Sequence, residues 1–336
     1  MSPSAVQSRP PRISRAAWMG ELALGRSLRE LCLPGTHDSG AYRLSDRIAP
    51  TAAQQPGLMR LASVLAGGDR YPARYRSLVR HMSVTQRRPV AEQLRDGIRL
   101  LDLRICACDG ELWIHHGLLG PRLSEVLDDL ASFVDGTDHE LVVVRASHFT
   151  MGQGRDHHDV VSELLERFAG RLVPRGAEAL TAPLGDLTAD GSRLLWFYEP
   201  DDGNRVARDD RRFWPSIQSL YRERWCRHAK TPAEAGDCQG RAMASGSSPF
   251  HVWWTLTPQP GPILEEMAVR RLGRPGGVYR LEGLAERMAG EPLRRFLEQH
   301  ARSPVGAVSV DFYDGSGVVP ELLARMFGRS RADAMS

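Results

Sequence analysis

Five ionisable residues stand at the ends of short apolar runs: His37 and Asp38 in LCLPGTHDSGAY, Arg104 in LLDLRICA, His116 in WIHHGLL and Asp311 in VSVDFYDG. Histidine is the usual proton-transfer group near neutral pH, and a carboxylate beside it orients the ring and raises its basicity. Two such pairs supply one base and one acid. An arginine between them presents a planar fork of donors suited to the non-bridging oxygens of a phosphate. The chemistry that uses all three is cleavage of a phosphodiester: a base removes the proton of a hydroxyl already in the substrate, and an acid protonates the leaving oxygen. Enforced proximity favours such an intramolecular attack.

Each residue alone has a plainer reading. Asp38 suits an Asx turn, Arg104 can partner Asp102, and Asp311 and Asp314 can form turns around Gly315. His115 and His116 alternate faces in a strand, so at most one of them points at any given site. Jointly the set resists those readings, because a core-lining set would be apolar and a solvated set would not sit in strand contexts.

The elements that must position these groups follow from hydrophobic periodicity. LRELCLPG reads as a strand ending in a turn; IRLLDLRICA and ELWIHHG read as strands separated by CDG, a hairpin-like signal. In SEVLDDLASFV, Val126, Leu127, Leu130, Phe133 and Val134 share one helical face, with Ser124 as N-cap. HELVVVRASHF is a β-branched run typical of a strand covered on both faces. HDVVSELLERFAGRLV is helical, SRLLWFYEP, HVWWTLTP and GAVSVDFYDG are strands, LAERMAGEPLRRFLEQHA is a helix interrupted near Gly290–Pro292, and VVPELLARMFG is a closing helix. Alternating strands and helices argue for a mostly parallel sheet covered by helices. No glycine-rich nucleotide-binding turn follows any strand. Polar residues gather instead at strand ends (His37, Asp38, Arg104, His115, His116, Ser147, His148, Tyr198, Glu199 and Asp311), the distribution required by a barrel whose site is assembled from many strand ends. The stretches 45–90 and 200–250 exceed ordinary loops and are expected to hold short helices or rim loops. Residues 1–15, rich in Pro, Ser and Arg, read as a flexible lead-in, followed by a single domain over 16–330.

Composition narrows the function classes. The 44 Lys and Arg nearly match the 41 Asp and Glu, and no block of like charge occurs, which argues against a nucleic-acid partner. No apolar run is long enough to span a membrane, and the N-terminus lacks the apolar core of a secretory signal. The expected location is the cytoplasm or outside the cell by a non-classical route. Five cysteines in a chain of this length point weakly to a reducing compartment. Cys106 and Cys108 are expected as buried free thiols on one strand face, two being too few for structural zinc; Cys226 and Cys238 can pair if the protein is exported. Of the adjacent Trp253 and Trp254, one faces in and one out; Trp214 and Trp225 suit either a membrane-facing rim or ordinary packing.

The ordered combination of LPGTHDSG, VAEQLRDGIRLLDLRI, LWIHHGLL, the helix with Phe133, ELVVVRASHF and AVSVDFYDG resembles the X-domain of phosphatidylinositol-specific phospholipases C, over roughly residues 18–325. The resemblance implies a distorted TIM (β/α)8-type barrel of α/β class. It implies that His37 is the general base that deprotonates the inositol 2-hydroxyl with Asp311 as its orienting partner, that Arg104 stabilises the phosphate, and that His116 protonates the diacylglycerol oxygen with Asp38 in support. His115, His148 and Tyr198 are the candidate substrate contacts. The products would be diacylglycerol and a cyclic inositol phosphate. Calcium-dependent members carry acidic ligands where this chain has Arg104, so no metal and no cofactor are expected. Where the bacterial enzymes have a lysine near the end of the strand matched by VVVRASHF, this chain has Ser147 and His148, and FHVWWTLTP and SVDFYDG are closer to X-domain-only proteins. The implied partner is a phospholipid met transiently at a membrane surface by a monomer. The alternatives are a glycerophosphodiester phosphodiesterase or sphingomyelinase D-like barrel, which would need Mg²⁺ held by acidic residues, and a catalytically silent lipid-binding barrel.

Overall fold

The apolar runs pair into one nine-stranded sheet in a computed structural model, which describes residues 14–50, 70–152, 155–176, 178–200, 205–272 and 279–328. The strands are β1 (Leu33–Thr36), β2 (Leu100–Cys108), β3 (Glu111–His115), β4 (Leu119–Arg122), β5 (Val142–Thr150), β6 (Leu194–Glu199), β7 (Arg222–Glu223), β8 (Phe250–Trp253) and β9 (Val305–Val310). β1 lies parallel between β2 and β9; β2 continues in parallel to β5 and then β6, and β9 to β8 and then β7. The parallel strands thus succeed one another in chain order, and the last is hydrogen-bonded to the first. Among the described residues no ladder joins β6 to β7; Trp214 makes only an isolated parallel bridge to Phe197 of β6. This is the distorted (β/α)8-type barrel, with one open seam. The lead-in assigned to residues 1–15 lies outside the described residues except for Ser14 and Arg15, and residues 329–330 of the domain range lie outside them too.

Several elements follow directly from local chemistry. β2 is long enough to pair with β1 through its first residues and with β3, antiparallel, through Ile105–Cys108. Asp109 and Gly110 close that hairpin with φ of 54° and 74°, the doubly left-handed turn that Asp-Gly favours. The helix Leu123–Asp135 buries Val126, Leu127, Leu130, Phe133 and Val134, the face read from the sequence. Its N-cap is Arg122 rather than Ser124: the Glu125 carboxylate turns back to accept the Arg122 amide at 3.1 Å, starting the helix earlier. The interruption near Gly290 is present, with helices Leu281–Met288 and Glu291–Gln299 meeting at Gly290, φ 66°.

Two further readings of the sequence change. LRELCLPG is not one strand: Ser27 and Glu30 cap each other, which curls Leu28–Glu30 into a 3-10 turn, and the strand is Leu33–Thr36 with Pro34 and Gly35 inside it. β7, two residues long, shows no alternation and was covered by the irregular stretch 200–250; that stretch also contains the helix Pro232–Ala244. Cys226 and Cys238 are joined by a disulfide, Cα atoms 6.2 Å apart, which ties the segment after β7 to that helix. Cys106 and Cys108 are buried free thiols as expected. Of the stretch 45–90, residues 70–90 include the helix Ala73–Ser83, and residues 51–69 lie outside the described residues.

Below the strands' N-terminal ends a buried ion pair ties β2 to β5. Arg99 Nε donates to Glu140 Oε2 at 2.8 Å, both side chains are fully buried, and the guanidinium also donates to the carbonyls of Leu94, Ile98 and Ala16. Glu140 Oε1 accepts the Gly20 amide at 2.7 Å. The pair is thus fully hydrogen-bonded, and removing one partner leaves a buried charge unopposed. Glu140→Leu is expected to lower the unfolding free energy in urea titrations by about 3–5 kcal/mol, and Arg99→Met combined with it by clearly less. Equal losses would show that the pair does not act as a unit.

Candidate active site

The backbone at the C-terminal ends of β1, β2 and β9 is wired so that side chains converge. After β1 the chain turns sharply at Asp38, whose φ is 43°, a left-handed conformation that aspartate tolerates better than most residues. The turn is held from β2: the Asp38 amide donates to Asp102 Oδ2 at 3.2 Å and the Ser39 amide to the Asp102 carbonyl at 2.7 Å. A strap from Thr85 and Gln86 ties β1 to β9. Thr85 Oγ1 donates to the Asp38 carbonyl, Gln86 Nε2 to the carbonyls of His37 and Val310, and the Phe312 amide to the Thr85 carbonyl. Phe312, like Asp38, has positive φ, 48°. Such strain persists only where surrounding bonds over-determine it.

Four groups meet on the Asp38 carboxylate or beside it. His37 Nδ1 lies 2.8 Å from Asp311 Oδ1, and its Nε2 lies 3.2 Å from Asp38 Oδ2 and 3.2 Å from Arg104 Nη2. His116 Nε2 is 3.2 Å from the same Asp38 Oδ2, and its Nδ1 lies 2.7 Å from the Ser83 carbonyl. Arg104 Nε pairs with Asp38 Oδ1. Because Nδ1 of each ring faces an acceptor, each ring carries a proton there, and the atoms left to titrate are both Nε2. The ring centres are 6.1 Å apart. Asp38 therefore supports both histidines, its neighbour included, and not His116 alone.

Electrostatics separates the two rings. Burial disfavours the His37 cation, but Asp38 and Asp311 outweigh it and push the pKa up to about 9. For His116 the recessed position outweighs the pull of Asp38 and, with the Arg104 charge, lowers the pKa. Burial raises the Asp38 carboxyl, yet Arg104 and the two rings hold it well below the usual range. His37 and His116 thus differ in proton affinity although they share one counter-charge.

Above these groups is a cavity of about 580 Å³. His37, Arg104, His116 and Asp311 line it, together with Arg145 of β5, Glu223 of β7 and Trp253 of β8. Arg145 Nε donates to Glu199 Oε2 at 2.8 Å and its Nη1 to Glu223 Oε2 at 3.2 Å. Trp225 stands at the rim, 39% exposed, with its ring 5.0 Å from His37 and 5.2 Å from Trp253. Of the three candidate substrate contacts, His148 lines the cavity, at a strained φ of 51°. His115 is buried, its Nε2 3.2 Å from the His148 carbonyl, and burial together with Arg104 pushes its pKa down to about 3. Tyr198 faces outward, its hydroxyl 2.7 Å from His157 Nδ1 and its ring stacked on Phe149. Strand alternation explains both displacements: His116 and Glu199 take the inward positions that their neighbours would need. Alternation from Ser147 would also have found Arg145; nothing in the sequence marks Glu223 or the Thr85–Gln86 strap. Trp253 faces the cavity, whereas Trp254 turns outward to donate to the Met288 carbonyl and pack on Phe296. Trp214 is core, against Phe197.

Among the described residues His37, Asp38 and Asp102 offer ligand atoms within 4.8 Å of one another, the one such cluster. The donor set fits an ion poorly. Asp38 already neutralises a guanidinium, and Asp102 Oδ2 accepts a backbone amide, whereas calcium takes six to eight oxygens.

No family model matches the chain. It is 29% identical over 194 residues to human PI-PLC X domain-containing protein 2, covering 55% of this chain and 60% of that protein. It is 31% identical over 166 residues to zebrafish (Danio rerio) PI-PLC X domain-containing protein 3, covering 47% and 50%, and 26% identical over 258 residues to human PI-PLC X domain-containing protein 1, covering 74% and 76%. The chain thus spans 60% and 50% of the lengths of the first two. Two solved structures share its fold. An F249X mutant of the phosphatidylinositol-specific phospholipase C of Staphylococcus aureus matches with a TM-score of 0.61 at 15% identity, covering 96% of this chain and 98% of that one. The phosphatidylinositol-specific phospholipase C of Listeria monocytogenes matches with 0.59 at 14%, covering 93% and 99%.

The raised His37 pKa has a direct readout. The folded protein keeps a proton that the unfolded chain releases near 6.5, so the stability that His37 contributes is complete below that pH and is lost as pH rises through about 9. Imidazole NMR titration is expected to show this alkaline midpoint, and Asp311→Asn, which deletes one of the raising charges, to move it acidward. An unmoved midpoint would remove Asp311 as a cause.

Proposed function

With the chain a member of the phosphatidylinositol-specific phospholipase C X-domain family, we propose that it cleaves the glycerol–phosphate ester of phosphatidylinositol, releasing diacylglycerol and a cyclic inositol phosphate. The observation that carries this reading is the convergence of two imidazole Nε2 atoms and one guanidinium on a single buried carboxylate at the floor of a cavity. In the form that reacts, the one Nε2 proton shared by the two coupled rings sits on His116, and the bare Nε2 of His37 takes the proton of the inositol 2-hydroxyl, while Asp311 orients the ring and stabilises the imidazolium that forms. The freed oxygen attacks phosphorus, closing the cyclic phosphate. Arg104 leaves Asp38 for the non-bridging oxygens, where its fork opposes the developing charge. His116 gives its Nε2 proton to the diacylglycerol oxygen, with Asp38 holding the ring. Arg145, Glu223 and the faces of Trp253 and Trp225 supply alternating donors, acceptors and aromatic surface suited to a polyhydroxylated ring.

No metal is assigned a role: the guanidinium occupies the counter-charge position beside Asp38. In this reading the enzyme is a monomer. It meets its lipid transiently at a membrane surface, with the exposed Trp225 at the cavity rim towards the interface. Among the described residues no helix is long and apolar enough to cross a membrane. Of the two locations expected, the Cys226–Cys238 disulfide favours the one outside the reducing cytoplasm.

The test is cleavage of phosphatidylinositol in vesicles, with phosphorus NMR identifying the cyclic product. His37→Ala and His116→Ala are each expected to lower kcat by about 10²–10⁴-fold. Arg104→Lys should lose about 10²–10³-fold, because a point charge does not reproduce the fork. EDTA is expected to leave activity unchanged; its loss would favour the Mg²⁺-dependent alternatives. Wild-type rates in either histidine variant would overturn the two-histidine scheme. The kcat/KM profile should be bell-shaped with its alkaline limb near pH 9, because acid and base assignments of two coupled rings give the same bell.

A further inference from the structure

Glu223 keeps one carboxylate oxygen occupied by the protein. Its Oε2 lies 3.2 Å from Arg145 Nη1, 3.1 Å from Trp253 Nε1 and 3.4 Å from His251 Nδ1. His251 belongs to β8, is fully buried, and has its other nitrogen, Nε2, 2.8 Å from Ser309 Oγ of β9. The Ser309 side chain is also closed to solvent, so this serine has no route to a substrate. It has room because position 35 is glycine: a Cβ there would come within 2.5 Å of Ser309 Oγ. The glycine of the LPGTHD motif thus makes space for a hydroxyl two strand-widths from Glu223.

These distances select a tautomer. If Nε2 carried the imidazole proton, the bare Nδ1 lone pair would face a carboxylate oxygen. If the serine hydroxyl donates to Nε2, the ring carries its proton on Nδ1 and turns it towards Glu223 Oε2 at 3.4 Å, an ionic contact rather than a well-directed hydrogen bond. Burial raises the Glu223 carboxyl, but the His251 contact and Arg145 outweigh it and keep the group below its ordinary value. Oε2 is then engaged by two hydrogen-bond donors and by the His251 Nδ1 contact, and Oε1 is the oxygen we assign to the cavity.

We propose that Ser309 and His251 are positioning residues that pin Oε2 of Glu223, so that Oε1 accepts a hydroxyl of the bound polyol headgroup and sets headgroup affinity. This inference rests on the phosphatidylinositol reading above, and it concerns headgroup binding rather than the groups that move protons in the reaction.

Two near-isosteres of His251 separate positioning from packing. Asparagine presents an amide N–H close to where Nδ1 stands, whereas glutamine reaches the Nε2 position facing Ser309. In the full-length protein assayed on mixed phosphatidylinositol–phosphatidylcholine vesicles, H251Q is expected to raise KM about tenfold with kcat within about threefold, and H251N to stay within about threefold of wild type in both. S309A, which removes a single oxygen, should raise KM in the same direction and by less. Thermal unfolding of each variant identifies loss of fold, and S309A carries the test if the His251 variants do not fold. Equal KM shifts in H251N and H251Q, or a fall in kcat at unchanged KM, would overturn the positioning role while leaving phosphatidylinositol cleavage intact. An inactive wild-type protein would overturn the reading on which it rests, and this inference with it.

Discussion

One carboxylate organises this end of the barrel. Asp38 is buried and negative, and around it stand a guanidinium and two imidazoles that would otherwise repel one another. Desolvating such a charge is costly and is repaid only by close partners. The contacts are ionic rather than well directed: both Asp38 oxygens and Arg104 Nε are closed to solvent without a hydrogen bond of good geometry. A phosphate would give the arginine the directional acceptors that Asp38 does not.

The rest of the scaffold can be understood as what keeps that carboxylate in place. Asp102 fixes the left-handed turn from β2, the Thr85–Gln86 strap fixes it from β9, and Gln93 binds the Ser39 carbonyl beneath. The closure of β9 onto β1 is therefore stitched twice, by backbone ladder and by side chains. At the opposite end of the strands Arg99 and Glu140 hold β2 to β5 without facing the cavity. The two ends are held differently: one by directed hydrogen bonds, the other by close ionic contacts.

Periodic and local features were legible in the sequence. The helical face from Val126 to Val134, the break at Gly290 and the Asp-Gly hairpin were read from patterns that depend on near neighbours, and the structure contains them. The five residues read as a catalytic set are brought together around one cavity floor. Failures came where a choice between two neighbours depended on facing: Tyr198 against Glu199, and the inward Arg145 hidden in a β-branched run. Ser124 lost the cap to Arg122 because Glu125 could reach back. β7 and Glu223 could not be seen at all, since a two-residue strand has no period and its significance comes wholly from what β5 and β8 bring beside it.

The open seam between β6 and β7 is bridged differently from the rest of the sheet. Elsewhere neighbouring strands are locked by backbone ladders that any sequence would keep. Across the seam the link is made by side chains, Arg145 reaching Glu199 on one side and Glu223 on the other. Changing those three residues would re-cut the shape and charge of the chamber without breaking a single ladder, so the barrel is most free to acquire a new ligand preference at its seam.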